Sequence, residues 1–153
     1  MCCADAERFL AQRRNGVLVT LAGSLVRAFG DIERMSELYD DAIVWYLPAS
    51  VGVASGPHRG KEAVLAFNNQ TWGGGFYLPT GVEVKVHDEL EQGDLSVARL
   101  TYSATVASTG ERYDNEYVVL VRASNGKICE VHEHLDTLKV MQYEGLRPFL
   151  PPL

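Results

Sequence analysis

Apolar residues in the first third of the chain follow a helical spacing. They recur at intervals of three and four positions, which predicts an amphipathic helix with one buried face: Val17, Leu18, Leu21, Leu25, Ala28 and Phe29. A charged opening segment, residues 5–14, precedes this helix, and Gly30 is placed to end it. Asp31 can then cap a second, short helix over residues 32–39.

The middle of the chain is predicted to hold one strand, one loop and one helix. The strand covers residues 43–47 and stops at Pro48, and residues 49–60 form a loop because glycine or proline interrupts them four times. The helix covers residues 61–70, and its buried side carries Val64, Leu65 and Phe67. Three consecutive glycines, residues 73–75, then form a flexible joint.

The second half of the chain alternates between apolar and polar residues, the period of a β-strand. Turn residues such as Asn125-Gly126 separate the strands, which are predicted over residues 82–90, 95–107, 111–122 and 127–135. Helices followed by a meander of strands predict an α+β domain with a curved antiparallel sheet wrapped around the N-terminal helices. Such a sheet encloses a cone-shaped space, which either fills with side chains or becomes a pocket.

Composition and charge narrow the class of protein. The chain has 153 residues, enough for one domain, with 46% hydrophobic and 22% charged residues, as in a soluble globular protein. Acidic residues outnumber basic ones by 20 to 14, and the net charge of -6 disfavours nucleic acid as a partner. No apolar run reaches the ~18 residues of a membrane span, and no apolar signal region opens the chain. We therefore expect a cytoplasmic protein without a membrane partner.

The last predicted strand divides into two unlike faces. Alternation puts four residues on an apolar face: Cys129, Val131, Glu133 and Leu135. The opposite face receives the other four: Ile128, Glu130, His132 and His134. A buried charge costs several kcal/mol unless it is paired or neutralised, so Glu133 is expected to have a raised pKa suited to proton transfer near neutral pH. In the alternative interpretation a tyrosine or an amide satisfies Glu133, which then only stabilises the fold.

The neighbouring strands supply further candidate residues for the same space. Asn115 and Tyr117 share a mainly apolar face with Val119. Asn115 could orient Glu133 or bind a substrate oxygen, and Tyr117 could act as an acid, as a donor or simply as part of the wall. Tyr102 lies on an apolar face of the strand before them. Cys129 lies on the apolar face of the last strand, so it is expected to line the space as a small hydrophobic residue. The three cysteines of the chain have no metal-ligand spacing and indicate neither a disulfide framework nor a metal site.

Aromatic residues outside these strands are also candidates. Tyr46, at the end of the first strand, could donate a hydrogen bond to a developing oxyanion, although Trp45 and Tyr46 must point to opposite faces. Trp72 and Phe76 flank the glycine joint and could form a lid, or could simply pack in the core. His58 lies in the loop and could reach the pocket mouth, or could remain solvated.

His132 and His134 raise the question of a metal. Their rings project from the same face of one strand, and Glu130 or Asp136 could supply a third ligand. That face is the outer one, however, and the outer face of such a sheet often meets a second subunit. A dimer interface is therefore the preferred interpretation, and no metal site is predicted.

Several motifs resemble the nuclear transport factor 2-like superfamily, and specifically its SnoaL-like, ketosteroid-isomerase-related branch. The resemblance spans roughly residues 16–140 and is carried by these segments: Gly30-Asp31, Tyr39 to Trp45, Gly60 to Val64, Thr109-Gly110, Tyr113 to Tyr117, Asn125 to Ile128 and Leu135-Asp136-Thr137. It implies the cone-shaped fold. It also selects Glu133, because SnoaL-like cyclases and limonene-epoxide-hydrolase relatives place an acid at that position.

The chain departs from relatives with better-defined chemistry. Where the epoxide hydrolases carry Arg and Asp on the preceding strand, this chain has Tyr117 and Val119, so their triad is incomplete. Where the ketosteroid isomerases place their base, this chain has Tyr46, so a proton shuttle through that aspartate is not supported.

These observations predict a single SnoaL-like domain, with an extension over residues 1–15, a core over 16–140 and a tail over 141–153. The predicted function is acid–base catalysis without a cofactor, such as cyclisation, isomerisation or dehydration, on a small hydrophobic oxygenated molecule resembling a polyketide or terpenoid intermediate. Glu133 would move the proton while Tyr46 or Tyr117 stabilises charge. A homodimer through the outer sheet face is expected. The alternatives are a non-catalytic binding or accessory protein, an interaction module with a filled cone, and an epoxide-opening hydrolase with a modified site.

Overall fold

The computed structural model describes residues 13–14 and 17–149. The helices are α1 (Leu21–Arg27), α2 (Ile32–Leu38), α3 (Lys61–Trp72) and α4 (Thr137–Met141), with 3-10 helices at Ala49–Ala54 and Glu144–Phe149. The strands are β1 (Arg13–Arg14), β2 (Val17–Leu18), β3 (Tyr39–Tyr46), β4 (His58–Arg59), β5 (Glu83–Gln92), β6 (Leu95–Thr105), β7 (Arg112–Ser124) and β8 (Lys127–Leu135). Most of the predicted opening segment, with the last residues of the tail, lies outside the described residues.

Side-chain caps fix where the first two helices begin. Thr20 Oγ1 accepts a hydrogen bond from the Gly23 amide at 2.9 Å, so α1 begins at Leu21. The prediction that this helix includes Val17 and Leu18 was wrong, because Val17–Leu18 pairs instead with Arg13–Arg14 as a short strand. Asp31 caps α2 as predicted, accepting from the Arg34 amide at 3.1 Å.

Six strands form a curved, unclosed sheet in the order β4-β3-β8-β7-β6-β5, which confirms the predicted cone-shaped α+β fold. Every neighbouring pair in it is antiparallel except β3 and β8, which run parallel. Helix α1 packs against β5, β6 and β7, and α3 packs against β3. The inner face of the sheet is buried beneath these helices. Burial of each large apolar side chain stabilises the fold by about 1.5–3 kcal/mol.

A β-bulge in β8 changes which residues face inward. Arg122 pairs with Glu130 and Ala123 pairs with Ile128, so Cys129 has no cross-strand partner. Ile128 is fully buried before the bulge, and Val131 is fully buried after it. The predicted alternation was therefore wrong before residue 130: Ile128 faces inward, and Cys129 turns outward with its thiol 3.4 Å from the Arg122 carbonyl oxygen.

Within residues 13–14 and 17–149, no helix combines the length and the apolar character needed to span a membrane.

Candidate functional site

A cavity of about 60 Å³ lies between the inner face of the sheet and the helices. Aromatic rings form much of its wall: Phe29, Phe67, Trp72, Phe76, Tyr102 and Tyr117. Glu133 is the one charged side chain among the described residues that line it. Drug-sized sites usually measure about 300–1,000 Å³, so this cavity admits a small molecule or one end of a larger one. The cone is thus neither solidly filled nor widely open.

Glu133 is held at the cavity wall by one hydrogen bond. Its side chain is 6% exposed, and Trp45 Nε1 donates to Oε2 at 3.0 Å. Among the described residues, Oε1 has no hydrogen-bond partner, so it is the oxygen available to a ligand. Burial raises the pKa of Glu133 to about 7, and the hydrogen bond from Trp45 opposes this effect only in part. Glu133 therefore exchanges a proton near neutral pH.

Tyr46, predicted as a catalytic donor, lies on the other side of the sheet. Its ring stacks on His132, with centroids 4.5 Å apart and planes 6° from parallel. Successive residues of a strand point to opposite faces, and Trp45, which is fully buried, occupies the inner one. The placement of Tyr46 in the pocket was wrong, and Trp45 takes the position beside the acid.

A cluster of phenols stands beside Glu133. Tyr117 lines the cavity, and its hydroxyl lies 3.0 Å from that of Tyr113, which is fully buried behind the wall. Tyr77 also lines the cavity, with its ring centroid 5.3 Å from that of Tyr113. Burial raises the pKa of Tyr77 and Tyr117 well above the usual value and that of Tyr113 to about 12. The phenols remain protonated at neutral pH and can donate hydrogen bonds.

The predicted aromatic candidates Tyr102, Trp72 and Phe76 all line the cavity. Trp72 Nε1 donates a hydrogen bond to the Tyr102 hydroxyl at 2.9 Å, and the ring of Phe29 lies 4.9 Å from that of Trp72. Burial raises the pKa of Tyr102, although the bond from Trp72 opposes this. These contacts fix the rings that shape the cavity.

The remaining predicted site residues lie away from the cavity lining. Val119 and Val131 are fully buried on the inner face of the sheet, and Cys129 turns outward at the bulge. His58 stacks on Phe67 with centroids 4.2 Å apart, and its Nε2 lies 3.0 Å from the Ala54 carbonyl oxygen. The ring of His58 therefore supports the cavity wall from behind.

Asn115 was predicted to contact a substrate, but it also lies behind the residues that line the cavity. Its side chain is 1% exposed, and Nδ2 donates to the Tyr113 hydroxyl at 2.7 Å and to the Asp136 carbonyl oxygen at 2.9 Å. Asn115 therefore contacts the phenol cluster instead of a ligand.

Several lining or supporting residues were missed from the sequence. Tyr113 has the same strand parity as Asn115 and Tyr117, so alternation could have identified it. Val140 and Leu146, from the C-terminal segment, complete the cavity wall. The sequence pattern gave no signal for their position, because helices of five or six residues are too short to show a clear period.

The two histidines of β8 lie on the outer face, as predicted. His132 Nε2 lies 2.7 Å from a carboxylate oxygen of Glu130, and His134 is exposed. The described part of the chain contains no group of three or more His, Cys, Asp or Glu residues arranged to hold a metal ion.

Comparisons with known proteins agree with this architecture. Residues 26–131 match the model of the SnoaL-like domain. An NTF2-like protein from Burkholderia thailandensis superposes with a TM-score of 0.66 at 22% identity, over 80% of this chain and 92% of that one. A protein of ketosteroid isomerase-like fold from Catenulispora acidiphila, in complex with trimethylamine, gives a TM-score of 0.69 at 13% identity, over 86% and 97%. TerC, co-crystallised with polyporic acid, gives 0.66 at 19%, over 78% and 91%. A search of curated proteins finds no match.

Proposed function

Because the chain belongs to the SnoaL-like domain family, we propose that it is a cofactor-independent acid–base enzyme acting on a small, mostly apolar, oxygenated molecule. The observation that carries this proposal is Glu133, a cavity-lining carboxyl that is 6% exposed and has a pKa raised to about 7. A general base works best when its pKa lies near the working pH, and both protonation states of Glu133 are populated there.

The chemistry that fits this site is proton transfer at a carbon next to a carbonyl group. Ionised Glu133 takes the proton, and a neutral phenol at the wall donates a hydrogen bond to the enolate oxygen that forms. If protonated Glu133 returns the proton to another carbon, the result is isomerisation. If the enolate carbon attacks a second carbonyl and Glu133 protonates the alkoxide that forms, the result is cyclisation. If the enolate expels a β-hydroxyl group and Glu133 protonates it to water, the result is dehydration. A polyketide- or terpenoid-like intermediate supplies such groups.

We also propose that the protein is located in the cytoplasm.

Exchange of α-protons in a small ketone tests this proposal directly. Cyclopentanone is incubated with the protein in deuterium oxide, and loss of the α-proton signal is followed by NMR. We expect Glu133→Gln to slow exchange by about 10²- to 10⁴-fold, the usual contribution of a general base. Glu116→Gln is the matched control, because Glu116 is an exposed carboxylate on β7.

Two outcomes would contradict the proposal. The first is exchange no faster than in buffer without protein, and the second is a Glu133→Gln variant that exchanges at the wild-type rate. Thermal unfolding of each variant shows whether lost exchange reflects lost structure.

A second candidate function is non-catalytic binding of a small organic ammonium ion. It is favoured by the lining itself, in which a single carboxylate, Glu133, is surrounded by aromatic rings, since ring faces attract cations. The trimethylamine complex of the Catenulispora protein is in keeping with this alternative.

Fluorescence of Trp45 and Trp72 can separate the two candidates. Both indoles lie at or beside the cavity, so binding should change their emission. Trimethylammonium is titrated against tert-butanol, a neutral molecule of similar shape. Tighter binding of the cation, lost in Glu133→Gln, supports the binding function. Equal binding of both molecules contradicts it.

We also propose that the protein forms a homodimer through the outer face of its sheet. A row of half-buried side chains crosses four neighbouring strands there, in register: Val97, Leu120, His132 and Tyr46. A second copy of the chain would cover this row.

A further inference from the structure

A chain of hydrogen bonds leads from the backbone of Asp136, directly after β8, to the cavity wall. Asn115 Nδ2 lies 2.7 Å from the Tyr113 hydroxyl, and that hydroxyl lies 3.0 Å from the hydroxyl of Tyr117. Asn115 and Tyr113 are 1% and 0% exposed, whereas Tyr117 lines the cavity. The first two residues therefore act on a ligand only through the third.

The orientation of the Asn115 amide is fixed by the backbone. Nδ2 lies 2.9 Å from the carbonyl oxygen of Asp136, which can only accept a hydrogen bond. Turning the amide over would bring Oδ1 against that carbonyl oxygen, so the nitrogen must occupy this side. Oδ1 has no protein partner among residues 17–149, so the amide serves the network only as a donor.

With the amide in this orientation, the Tyr113 hydroxyl accepts a hydrogen bond from Asn115 Nδ2. Its own proton can then be directed to Tyr117, whose hydroxyl lies 3.0 Å away. Once Tyr117 accepts that bond, its hydroxyl proton is available to a group inside the cavity. Burial raises the pKa of both phenols, so neither loses its proton at neutral pH. Donors in series polarise one another, by roughly 10–30% per bond.

We propose that Asn115 is a positioning residue, which directs the Tyr113–Tyr117 pair so that Tyr117 donates to a ligand oxygen inside the cavity. This inference rests on the proposed function and deepens it, because it specifies a ligand with a carbonyl or enolic oxygen as acceptor.

The positions of Tyr117 and Glu133 on the sheet agree with this ligand class. Tyr117 pairs with Leu135 and Val119 pairs with Glu133, so Tyr117 and Glu133 are diagonal neighbours on one face of the sheet. Diagonal positions are about 7–8 Å apart at the backbone. Both residues line the cavity, so a bound ketone can present its oxygen to Tyr117 and its α-carbon to Glu133.

The infrared spectrum of a bound ketone tests the donor chain without requiring catalysis. Cyclopentanone labelled with ¹³C at the carbonyl is added to the protein, and the carbonyl stretch is recorded. A donated hydrogen bond lowers this frequency relative to the value in cyclohexane. We expect Tyr117→Phe to return the band to the cyclohexane value. Asn115→Leu should move it in the same direction by roughly 10–30% of that distance.

Two more variants keep the test decisive. Tyr113→Phe removes the intermediate hydroxyl and should move the band as Asn115→Leu does, which covers a failure of the asparagine variant to fold. Tyr143→Phe is the matched control, because its ring lies 4.9 Å from that of Tyr113 and its hydroxyl is not part of the chain. This control should leave the band in place.

Each result decides one part of the inference. A band that Tyr117→Phe does not move, or no bound band at a saturating ketone concentration, overturns the acceptor site. A band moved by Tyr117→Phe but unaffected by Asn115→Leu and Tyr113→Phe overturns the positioning role. If the band responds as expected while α-proton exchange is absent, the donor chain stands and only the catalytic function fails.

Discussion

Trp45 and Glu133 are joined by one hydrogen bond, 3.0 Å long, between the indole nitrogen and Oε2 of the carboxyl group. The donor comes from β3 and the acceptor from β8, and both side chains are buried. This bond occupies one carboxyl oxygen and leaves the other for a ligand. It also favours the ionised form of Glu133, against the larger effect of burial.

The first prediction concerns the pH dependence of catalysis. The proposed base, Glu133, can take a proton only when it is ionised, so the wild-type rate should rise with pH through about 7. Trp45→Phe keeps an aromatic ring but removes the N–H donor. The pKa of Glu133 then increases, and the rising limb of the pH–rate profile moves to higher pH. An unchanged limb in this variant would exclude Glu133 as the titrating base.

The second prediction concerns stability. The pKa of Glu133 is about 7 in the folded protein against 4.5 for the unperturbed group, so the folded state binds the proton more tightly. This contribution to stability is fully present below pH 4.5 and is lost as pH rises to about 7, a change of about 3 kcal/mol. Urea unfolding of wild type and Glu133→Gln at several pH values measures it. The free-energy difference between the two proteins should vary over this window and become constant above it; a pH-independent difference would contradict the raised pKa.

The third prediction separates two tyrosines that the sequence made equal candidates. Tyr117→Phe removes a donor at the cavity wall and should lower turnover about 100-fold. Tyr46→Phe removes a hydroxyl on the outer face and should change turnover by no more than about twofold. Steady-state rates on a common substrate provide the comparison. A larger loss in Tyr46→Phe than in Tyr117→Phe would reverse the assignment.

The fourth prediction concerns assembly. Leu120→Arg places a charge in the middle of the outer row, and we expect it to convert a dimer into a monomer. Light scattering coupled to size-exclusion chromatography gives the mass of each. Leu138→Arg is the control, because Leu138 is 74% exposed on α4 and should leave the mass unchanged. A wild-type protein that is monomeric at high concentration would refute the proposed interface.

Alternation along the strands was sufficient to predict most of the fold and the central acid. Strand β8 was predicted with the same bounds that the structure shows, and Glu133 was identified because one carboxylate interrupts an apolar face. The start of α1 was misplaced because Val17 and Leu18 have helical spacing, whereas the Thr20 cap determines where the helix begins.

The errors at the site have two physical causes. In β3 both faces are apolar, Ile43 and Trp45 on one and Val44 and Tyr46 on the other, so parity could not tell which faces inward. In β8 the bulge at Cys129 reverses the parity of every residue before it, and no local signal in the sequence marks a bulge.

The parallel pairing of β3 with β8 also has a consequence for the order of folding. Strands β5 to β8 follow one another along the chain and can assemble hairpin by hairpin, but Trp45 and Glu133 are 88 positions apart. Contacts between such distant segments carry the largest loop-closure entropy and tend to form late. If β3 pairs with β8 last, Glu133 stays in contact with water and keeps an ordinary pKa until this pairing forms. Local separation of β3 from β8 would therefore return the pKa of Glu133 toward its ordinary value while the rest of the sheet stays intact. Amide hydrogen exchange at β3 would detect this separation.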